Sequence, residues 1–342
     1  MIRFECDYSE GAHEAILQRL IATNMEQTVG YSEDPYCESA REKIRAACDC
    51  PEAAVHFLVG GTQTNATVIS SVLRPHQGVL CAQSGHINVH ETGAIEALGH
   101  KVLALPQKDG KITAQQVREY TLAHYADSAF EHTVQPGMVY ISHPTEMGTL
   151  YTLEEMTELS RVCRELGLPL FADGARLGYG LAAGEVTLRD MAKLCDVFYI
   201  GGTKCGALFG EAVVISSPAL QKDFRYHIKQ NGGMLAKGRL LGVQFDTLFT
   251  DGLYEKITGN ASRQALRIRA AFEKKGIEMF FDSTTNQQFP VLTGQQMDAL
   301  KEDFSFTYWQ KVDENRHAVR FCTSWATKDE HVEKLVAAIE AL

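Results

Sequence analysis

Residues 168–176 read LPLFADGAR, and residues 197–204 read VFYIGGTK. Each stretch is a short apolar run that ends in a polar side chain beside glycine, Asp173 in the first and Lys204 in the second. In an open α/β sheet, ligands bind beyond the carboxyl ends of the strands. The two stretches therefore predict strands whose ends bring Asp173 and Lys204, 31 residues apart in the chain, to one site.

Similar apolar runs alternate with amphipathic stretches from about residue 55 to residue 216. The clearest helical pattern is residues 153–166, where apolar side chains recur at steps of three and four. Alternation of this kind is typical of crossover units and a mostly parallel sheet. The predicted strands are 55–59, 79–82, 102–105, 138–141, 168–171, 197–200 and 212–215.

The C-terminal part of the chain follows a different order. It predicts a helix at 240–249, a turn at 250–252, a long helix (254–275), a strand (278–280), hairpin-like segments (290–308), a strand (318–323) and a final helix (329–342). This order is typical of a small α+β domain. A chain of 342 residues also exceeds what one hydrophobic core usually supports. We therefore expect a large domain with an N-terminal arm over residues 1–250 and a small domain over residues 251–342.

Composition excludes several classes of partner. The chain has 33 Lys and Arg against 43 Asp and Glu, and this acidic balance disfavours nucleic acid and anionic membranes. Residues 1–7 lack the basic start of a signal peptide, and no stretch is long and apolar enough to span a bilayer. Nine scattered cysteines fit a reducing compartment, so we expect a cytoplasmic protein. Cys37, Cys48 and Cys50 lie close together in the sequence, but no paired histidines lie near them, so we predict no metal site.

The two strand-end side chains have complementary chemistry. A lysine held in a cleft loses part of its hydration, which lowers the pKa of its amine and makes it nucleophilic toward aldehydes. A carboxylate bonded to a pyridine nitrogen keeps that nitrogen protonated. Lys204 and Asp173 therefore predict a pyridine aldehyde as the cofactor, which in proteins is pyridoxal phosphate (PLP).

Two further segments follow predicted strands. Residues 60–65, GGTQTN, come after strand 55–59 and open a helix, and the free N–H groups at a helix start favour a phosphate. A tight turn accounts for these glycines equally well. His86 follows strand 79–82, where an imidazole can stack on a planar cofactor and move protons, although a lone histidine more commonly bonds a loop carbonyl.

Together these segments resemble the β-eliminating lyase/threonine aldolase family of PLP enzymes, in its L-threonine aldolase branch. The resemblance covers nearly the whole chain, and its segments occur in the family's order. It implies an α/β chain of the aspartate-aminotransferase-like fold (fold type I), assembled as a homodimer or homotetramer. The segments that carry it are 4–7, 61–65, His86 with 91–94, 173–176, 202–204 and 320–325.

The resemblance also assigns roles to individual residues. Lys204 would bind PLP as a Schiff base, Asp173 would bond the pyridine nitrogen, and His86 would stack on the ring. Gly61 and Thr62 would hold the phosphate.

Substrate contacts follow from the same resemblance. Arg176 and Arg320 would bind the substrate carboxylate, and Arg176 also belongs to the predicted cofactor-binding set. A planar guanidinium matches a carboxylate bidentately, although a surface ion pair would account for Arg320 taken alone. His132 resembles a second family histidine near the substrate hydroxyl. Cys6 stands where the family often has serine, which puts a hydroxyl contact to the carboxylate in doubt.

One basic residue of the family pattern is absent. Residues 231–234, NGGM, are followed by Leu235 where the family has a basic side chain. Lys229 or Lys237 could instead reach a phosphate, including that of a neighbouring subunit.

The reaction that the resemblance implies is aldol cleavage of L-threonine or L-allo-threonine to glycine and an aldehyde. Its base would be His86, His132 or a water that they orient. Two alternatives stay open. A β-elimination from an aromatic or sulfur amino acid would use the same scaffold and break a different bond to Cα. A binding protein for a nucleotide or phosphometabolite would use residues 60–65 without covalent chemistry.

Overall fold

The computed structural model describes all 342 residues. No helix in it has both the length and the apolar character needed to cross a membrane. The strands are β1 (Ile2–Arg3), β2 (Ala54–Leu58), β3 (Gln77–Ala82), β4 (Lys101–Leu105), β5 (Gln135–Ser142), β6 (Leu170–Asp173), β7 (Val197–Gly201), β8 (Glu211–Ile215), β9 (Gln287–Gln288), β10 (Val291–Thr293), β11 (Phe304–Ser305), β12 (Thr307–Lys311) and β13 (Arg316–Cys322).

Helices connect and cover these strands. Two short 3-10 helices lie at Phe130–His132 and Pro218–Leu220. The α-helices are α1 (Glu14–Thr23), α2 (Pro35–Ala47), α3 (Gly61–Val72), α4 (His86–Val89), α5 (Ala94–Ala97), α6 (Ala114–Ala126), α7 (Leu153–Leu166), α8 (Leu177–Ala183), α9 (Leu188–Leu194), α10 (Phe224–Gln230), α11 (Arg239–Leu248), α12 (Leu253–Lys274), α13 (Gly294–Lys301) and α14 (Asp329–Ala341).

A seven-stranded sheet in the order β2-β8-β7-β6-β5-β3-β4 contains all seven predicted strands. The strands β3 to β7 pair in parallel, and β8 runs antiparallel to both of its neighbours. The predicted mostly parallel sheet is thus confirmed. Alternate side chains of β7 enter different hydrophobic clusters, with Phe198 and Ile200 in one and Val197 and Tyr199 in the other. The sheet is therefore buried on both faces, as helical crossovers require.

Helix α7 matches the predicted bounds and shows how local sequence sets them. Thr152 and Glu155 form a reciprocal capping box at its start. Gly167 ends it in the left-handed region with φ of 67°, a conformation that glycine adopts without steric cost. The face that includes Met156 and Leu159 is buried in the main core.

A second sheet joins β10, β13 and β12 in an antiparallel arrangement, and β9 pairs with the end of β13. The N-terminal arm crosses to this region, because β1 pairs in parallel with β11 and Phe4 lies in the same cluster as Phe272 and Phe321. The expected α+β character of the C-terminal part is confirmed. The domain division at residue 250 stays a prediction.

Two local predictions in this region are wrong. Residues 278–280 form only an isolated bridge between Met279 and Pro290, not a strand. The predicted hairpin-like segment at 290–308 contains helix α13, because Thr293 accepts a hydrogen bond from the Gln296 amide in a capping box that nucleates a helix.

Candidate active site

A cleft opens beyond the carboxyl ends of β5, β6 and β7. It brings together five residues that the sequence predicted for one site: Gly61, His86, Asp173, Arg176 and Lys204. These residues come from three different strand ends and one helix start, in keeping with the strand-end rule. The remaining lining residues are Ser142, Pro144, Thr145, Glu146, Ala175 and Tyr199.

Asp173 is the last residue of β6 and accepts four hydrogen bonds. Its Oδ1 accepts from the Tyr199 hydroxyl and from the Ala175 amide at 2.9 Å. Its Oδ2 accepts from the Tyr140 hydroxyl at 2.7 Å and from Asn65 Nδ2 at 3.0 Å. Burial raises the pKa of the Asp173 carboxyl, but the bonds from both tyrosines outweigh burial and hold that pKa below its ordinary value. Asp173 therefore stays a carboxylate, the form that can bond a protonated pyridine nitrogen.

Lys204 follows β7 in a loop that hydrogen bonds to Glu211 of β8 hold in place. Thr203 Oγ1 and the Gly202 amide donate to the carboxyl oxygens of Glu211, at 2.9 Å and 3.3 Å. The Lys204 ammonium is half-buried and makes no hydrogen bond or ion pair. Burial and the charge of Arg176 lower the pKa of Lys204. The amine is therefore free to bond an aldehyde and closer to its nucleophilic, neutral form.

Helix α3 begins at the edge of the cleft without a side-chain cap. Its N-cap is Gly60, and no backbone oxygen accepts from the first amides, those of Gly61, Thr62 and Gln63. A Cβ at Gly61 would lie 3.1 Å from the Tyr199 hydroxyl, so the glycine keeps the backbone open to the cleft. Unpaired amides at a helix start are suited to a phosphate group. Thr62 is exposed and does not line the cleft.

His86 is tied to Asp173 through two intervening side chains. Its Nδ1 lies 2.7 Å from Glu91 Oε1, and Glu91 is buried. Asn65 Nδ2 bridges Glu91 Oε1 at 2.7 Å and Asp173 at 3.0 Å. Burial lowers the pKa of His86, but the bond to Glu91 and the charge of Asp173 outweigh burial and raise it. His86 is therefore held by a carboxylate, not by the loop carbonyl of the simpler interpretation.

Glu146 lines the cleft beside His86, and the sequence analysis missed it. Its Oε1 accepts from the His86 amide at 2.9 Å and from Ser142 Oγ at 2.6 Å. Burial raises the pKa of the Glu146 carboxyl. Glu146 follows the carboxyl end of β5, so the rule that identified Asp173 and Lys204 would also have identified it.

Arg176 has a partner that the sequence did not predict. Its Nε and Nη2 donate to both oxygens of Asp7, at 2.7 Å and 2.9 Å, and Asp7 is fully buried. Burial raises the pKa of Asp7, but the charges of Arg176 and Lys204 outweigh burial and lower it. Asp7 occupies the Nε and one N–H of Nη2, so Nη1 and the second N–H of Nη2 remain for a substrate carboxylate, and that role of Arg176 stays a prediction.

Arg320 projects from β13 and makes no ion pair, so the surface ion-pair interpretation is wrong. Its Nη1 donates to Gln287 Oε1 at 3.1 Å and its Nη2 to the Glu5 carbonyl at 3.2 Å. Its Nε is buried without a partner. Cys6 is half-buried, with its Sγ 3.2 Å from Ser9 Oγ. Neither Arg320 nor Cys6 lines the cleft itself.

His132 does not belong to this site. It is exposed and ends the 3-10 helix that precedes β5, so it lies at the amino end of that strand. The cleft lies at the opposite end, and eight residues of strand span roughly 25 Å. The prediction failed because it considered only that His132 is close to β5 in the sequence, and did not ask whether the residue lies at the amino or the carboxyl end of that strand.

The chain is similar to characterised threonine aldolases along most of its length. The beta-eliminating lyase family pattern matches residues 5–302. A low-specificity L-threonine aldolase of a Pseudomonas strain is 29% identical, over 91% of this chain and 89% of that protein. The corresponding protein of Pseudomonas aeruginosa is 28% identical, over 90% of this chain and 88% of its own.

Solved structures give the same result. A threonine aldolase of Leishmania major superposes with a TM-score of 0.97 at 41% identity, over 100% of this chain and 99% of that one. An aspartate aminotransferase of Thermus thermophilus superposes with a TM-score of 0.72 at 13% identity, over 100% and 91%. The second similarity concerns the fold alone. The aspartate-aminotransferase-like fold predicted from the sequence is thereby confirmed.

Proposed function

The chain belongs to the beta-eliminating lyase family, and on that premise we propose that it cleaves L-threonine and L-allo-threonine to glycine and an aldehyde with PLP as cofactor. The names and long alignments of its threonine aldolase relatives support the reaction. The single observation that carries the proposal is the pairing, in one cleft, of an uncommitted Lys204 amine with an ionised Asp173.

The residues of the cleft fit PLP. Lys204 would bond the aldehyde carbon through its amine, and Asp173 would bond the pyridine nitrogen. The unpaired amides of Gly61 and Thr62 at the start of α3 would hold the phosphate, and His86 would lie against the ring. When bound, PLP supplies an electron sink for the negative charge that develops at Cα of the amino acid.

The substrate carboxylate needs a cation in this acidic protein, and two arginines are available. Arg320 has a buried, unpartnered Nε, and Arg176 keeps both N–H groups of Nη1 and one of Nη2 free. Both guanidinium charges act on the Tyr8 hydroxyl and on the Cys322 thiol, so the two arginines lie near the same pair of side chains. Arg320 and Arg176 together orient the substrate, with Cys6 at the edge of that pocket.

An assay of product identity tests this function. Purified protein is incubated with L-threonine, L-allo-threonine and a phenylserine, and in parallel with tyrosine, tryptophan and cysteine. We expect equimolar glycine and aldehyde from the first group and no reaction with the second. Pyruvate and ammonia from the second group would assign β-elimination instead. A colourless protein that reacts with neither group would favour a binding protein.

Borohydride reduction tests the role of Lys204. We expect it to fix PLP to the peptide that carries Lys204. Lys204→Ala should remove both labelling and turnover while the circular dichroism spectrum stays unchanged, because the ammonium makes no hydrogen bond. The matched control is Lys193→Ala, which removes an exposed lysine from α9. Turnover by folded Lys204→Ala would contradict the assignment.

We further propose a homodimer or homotetramer. Apolar side chains of α1 and the segment after it are exposed, and a contiguous exposed apolar surface commonly marks an interface. The segment between Lys229, in the last turn of α10, and Lys237 lies beside the start of α3, because Gln63 Nε2 donates to the Asn231 carbonyl. Light scattering at several concentrations tests the assembly, and a monomer at all of them would contradict it. The exposed apolar residues are Leu17, Ile21, Met25, Val29 and Tyr31.

We also propose a cytoplasmic location. All nine cysteines are free thiols, as is usual in a reducing compartment. Cell fractionation with antibody detection tests the location.

A further inference from the structure

Glu146 is the lining residue of the cleft whose chemistry the proposed function leaves unused. It follows β5 and lies beside His86 at the point where Ser142 ends the strand. Burying a carboxylate costs free energy unless it is paired or hydrogen-bonded, so a carboxylate in this position calls for a structural or functional explanation.

The two oxygens of Glu146 have different surroundings. Oε1 accepts from the His86 amide at 2.9 Å and from Ser142 Oγ at 2.6 Å. Oε2 accepts no hydrogen bond from another residue, and it is not sealed off from solvent. The two donors therefore fix the orientation of the carboxylate and leave one oxygen facing the cleft. This is the arrangement of a preorganised proton acceptor.

The other candidate acceptors of the cleft are already committed. His86 is bonded to Glu91 through Nδ1, and the proposed function assigns its ring to the face of the cofactor. Asp173 accepts four hydrogen bonds and is held as an ion for the cofactor. His132 lies at the other end of β5. Among the carboxylate and imidazole groups of the cleft, Glu146 is left.

We propose that Glu146 accepts the proton of the substrate β-hydroxyl as the Cα–Cβ bond breaks. The inference rests on the proposed aldol cleavage. The O–H electron pair becomes the second bond of the aldehyde carbonyl, and the Cα–Cβ electron pair stays on Cα. Cα then takes up a proton and Glu146 releases one, so threonine is converted to glycine and acetaldehyde with no net change in protons or electrons.

Burial supports this role. It raises the pKa of the Glu146 carboxyl and so makes the carboxylate a stronger base than an exposed glutamate. A neutral Glu146 formed in the step is also favoured by the same buried environment, which lowers the cost of accepting the proton.

The decisive experiment compares two reactions of the PLP-loaded protein. Cleavage of L-threonine needs a base for the β-hydroxyl, whereas exchange of the α-hydrogen of glycine with deuterium oxide does not. Glu146→Gln preserves an Oε1 that can accept from His86 and Ser142 but removes the basic oxygen. The matched control is Glu154→Gln in α7, an exposed glutamate without hydrogen bonds or ion pairs. PLP absorbance and the unfolding temperature are recorded for every variant.

We expect Glu146→Gln to bind PLP, unfold at the wild-type temperature and exchange glycine at the wild-type rate. Its kcat for threonine should fall by about 100-fold or more, with KM changed less than about threefold, since general base catalysis contributes at least that factor. Glu146→Asp keeps a carboxylate and should recover part of the loss. Glu154→Gln should match the wild type throughout.

Three results would overturn the proposal. One is threonine cleavage by Glu146→Gln within about tenfold of the wild-type rate. A second is parallel loss of glycine exchange, PLP absorbance and cleavage, which would make Glu146 structural. The third is no recovery in Glu146→Asp. If the wild type binds PLP and exchanges glycine but releases no aldehyde, the proposed function itself fails, and this inference fails with it.

Discussion

The ion pair between Arg176 and Asp7 joins the N-terminal arm to the loop after β6, and its removal has an asymmetric cost. Arg176→Met keeps most of the side-chain volume but leaves the Asp7 carboxylate, which is 0% exposed, without its bidentate partner. Asp7→Asn instead leaves a guanidinium that is 13% exposed and can be hydrated in part. The first substitution should therefore destabilise the protein more than the second.

The loss of stability in each variant depends on the hydrogen bonds and charges that remain around the group that has lost its partner. Breaking a buried pair by removing one partner costs about 3 to 5 kcal/mol. Asp7 would keep the hydrogen bond from Asn286 Nδ2 at 2.9 Å and the attraction of Lys204. We therefore expect about 3 kcal/mol for Arg176→Met, at the low end of that range. Asp7→Asn loses hydrogen bonds to a charged group and should cost about 2 kcal/mol.

The assay is urea unfolding of the cofactor-free chain at pH 7. One common dependence of the unfolding free energy on urea concentration is used for all variants, and only differences in that free energy between variants are interpreted. The double variant Asp7→Asn with Arg176→Met removes both charges, so its cost should be smaller than the sum of the single costs by about 1 kcal/mol or more. Additive costs would refute the reasoning. A cost of Arg176→Met below that of Asp7→Asn would refute it as well.

Acid provides an independent check of the same pair. Because Arg176 lowers the pKa of Asp7 in the folded state, the pair contributes stability above the unfolded pKa of an aspartate, and this contribution is lost as pH falls through the folded pKa. In Arg176→Met the buried carboxyl should be protonated more readily. The stability difference between the two proteins should therefore narrow as pH falls below about 4.

Three further predictions concern the surroundings of the cleft. Glu91→Gln should lower the pKa of His86, which NMR titration of the ring would detect. An unchanged pKa would show that Glu91 does not cause the raised pKa of His86. Burial raises the pKa of Glu211 to about 8. The free energy of unfolding of the wild type should therefore fall as pH rises toward and through 8, whereas that of Glu211→Gln should not. Melting temperatures that depend on pH in the same way in both proteins would contradict this. Gly174→Ala would place a Cβ 1.8 Å from a backbone oxygen of β7 and should cost about 3 kcal/mol in urea unfolding, whereas Gly294→Ala meets no atom within 4 Å and should be nearly neutral.

Much of the fold follows from local sequence. The seven strands of the central sheet are short apolar runs bounded by polar or glycine-containing turns, and the structure contains all of them. The bounds of α7 follow from a capping box at Thr152 and from Gly167. The same kind of signal was overlooked at Thr293, where a capping box begins α13 inside a segment interpreted as a hairpin.

The candidate site was predictable to the extent that one rule applied. Parallel strands place their carboxyl ends at one edge, so Asp173, Lys204 and His86 could be assigned to one cleft before any coordinates. Glu146 satisfies the same rule and was missed because it stands four residues past the end of its strand. His132 was wrongly included because a family histidine was sought near β5 and the strand end was not considered.

What the sequence determined by itself was the periodicity of the elements, their caps, and which residues follow a strand. These are local properties, because side-chain spacing and capping involve residues within a few positions of one another. Tertiary structure alone decided that Arg176 pairs with Asp7 across 169 residues, and that Asn65 joins Asp173 to Glu91. Such contacts depend on the order and direction of strands and on the path of the N-terminal arm, which no local pattern specifies.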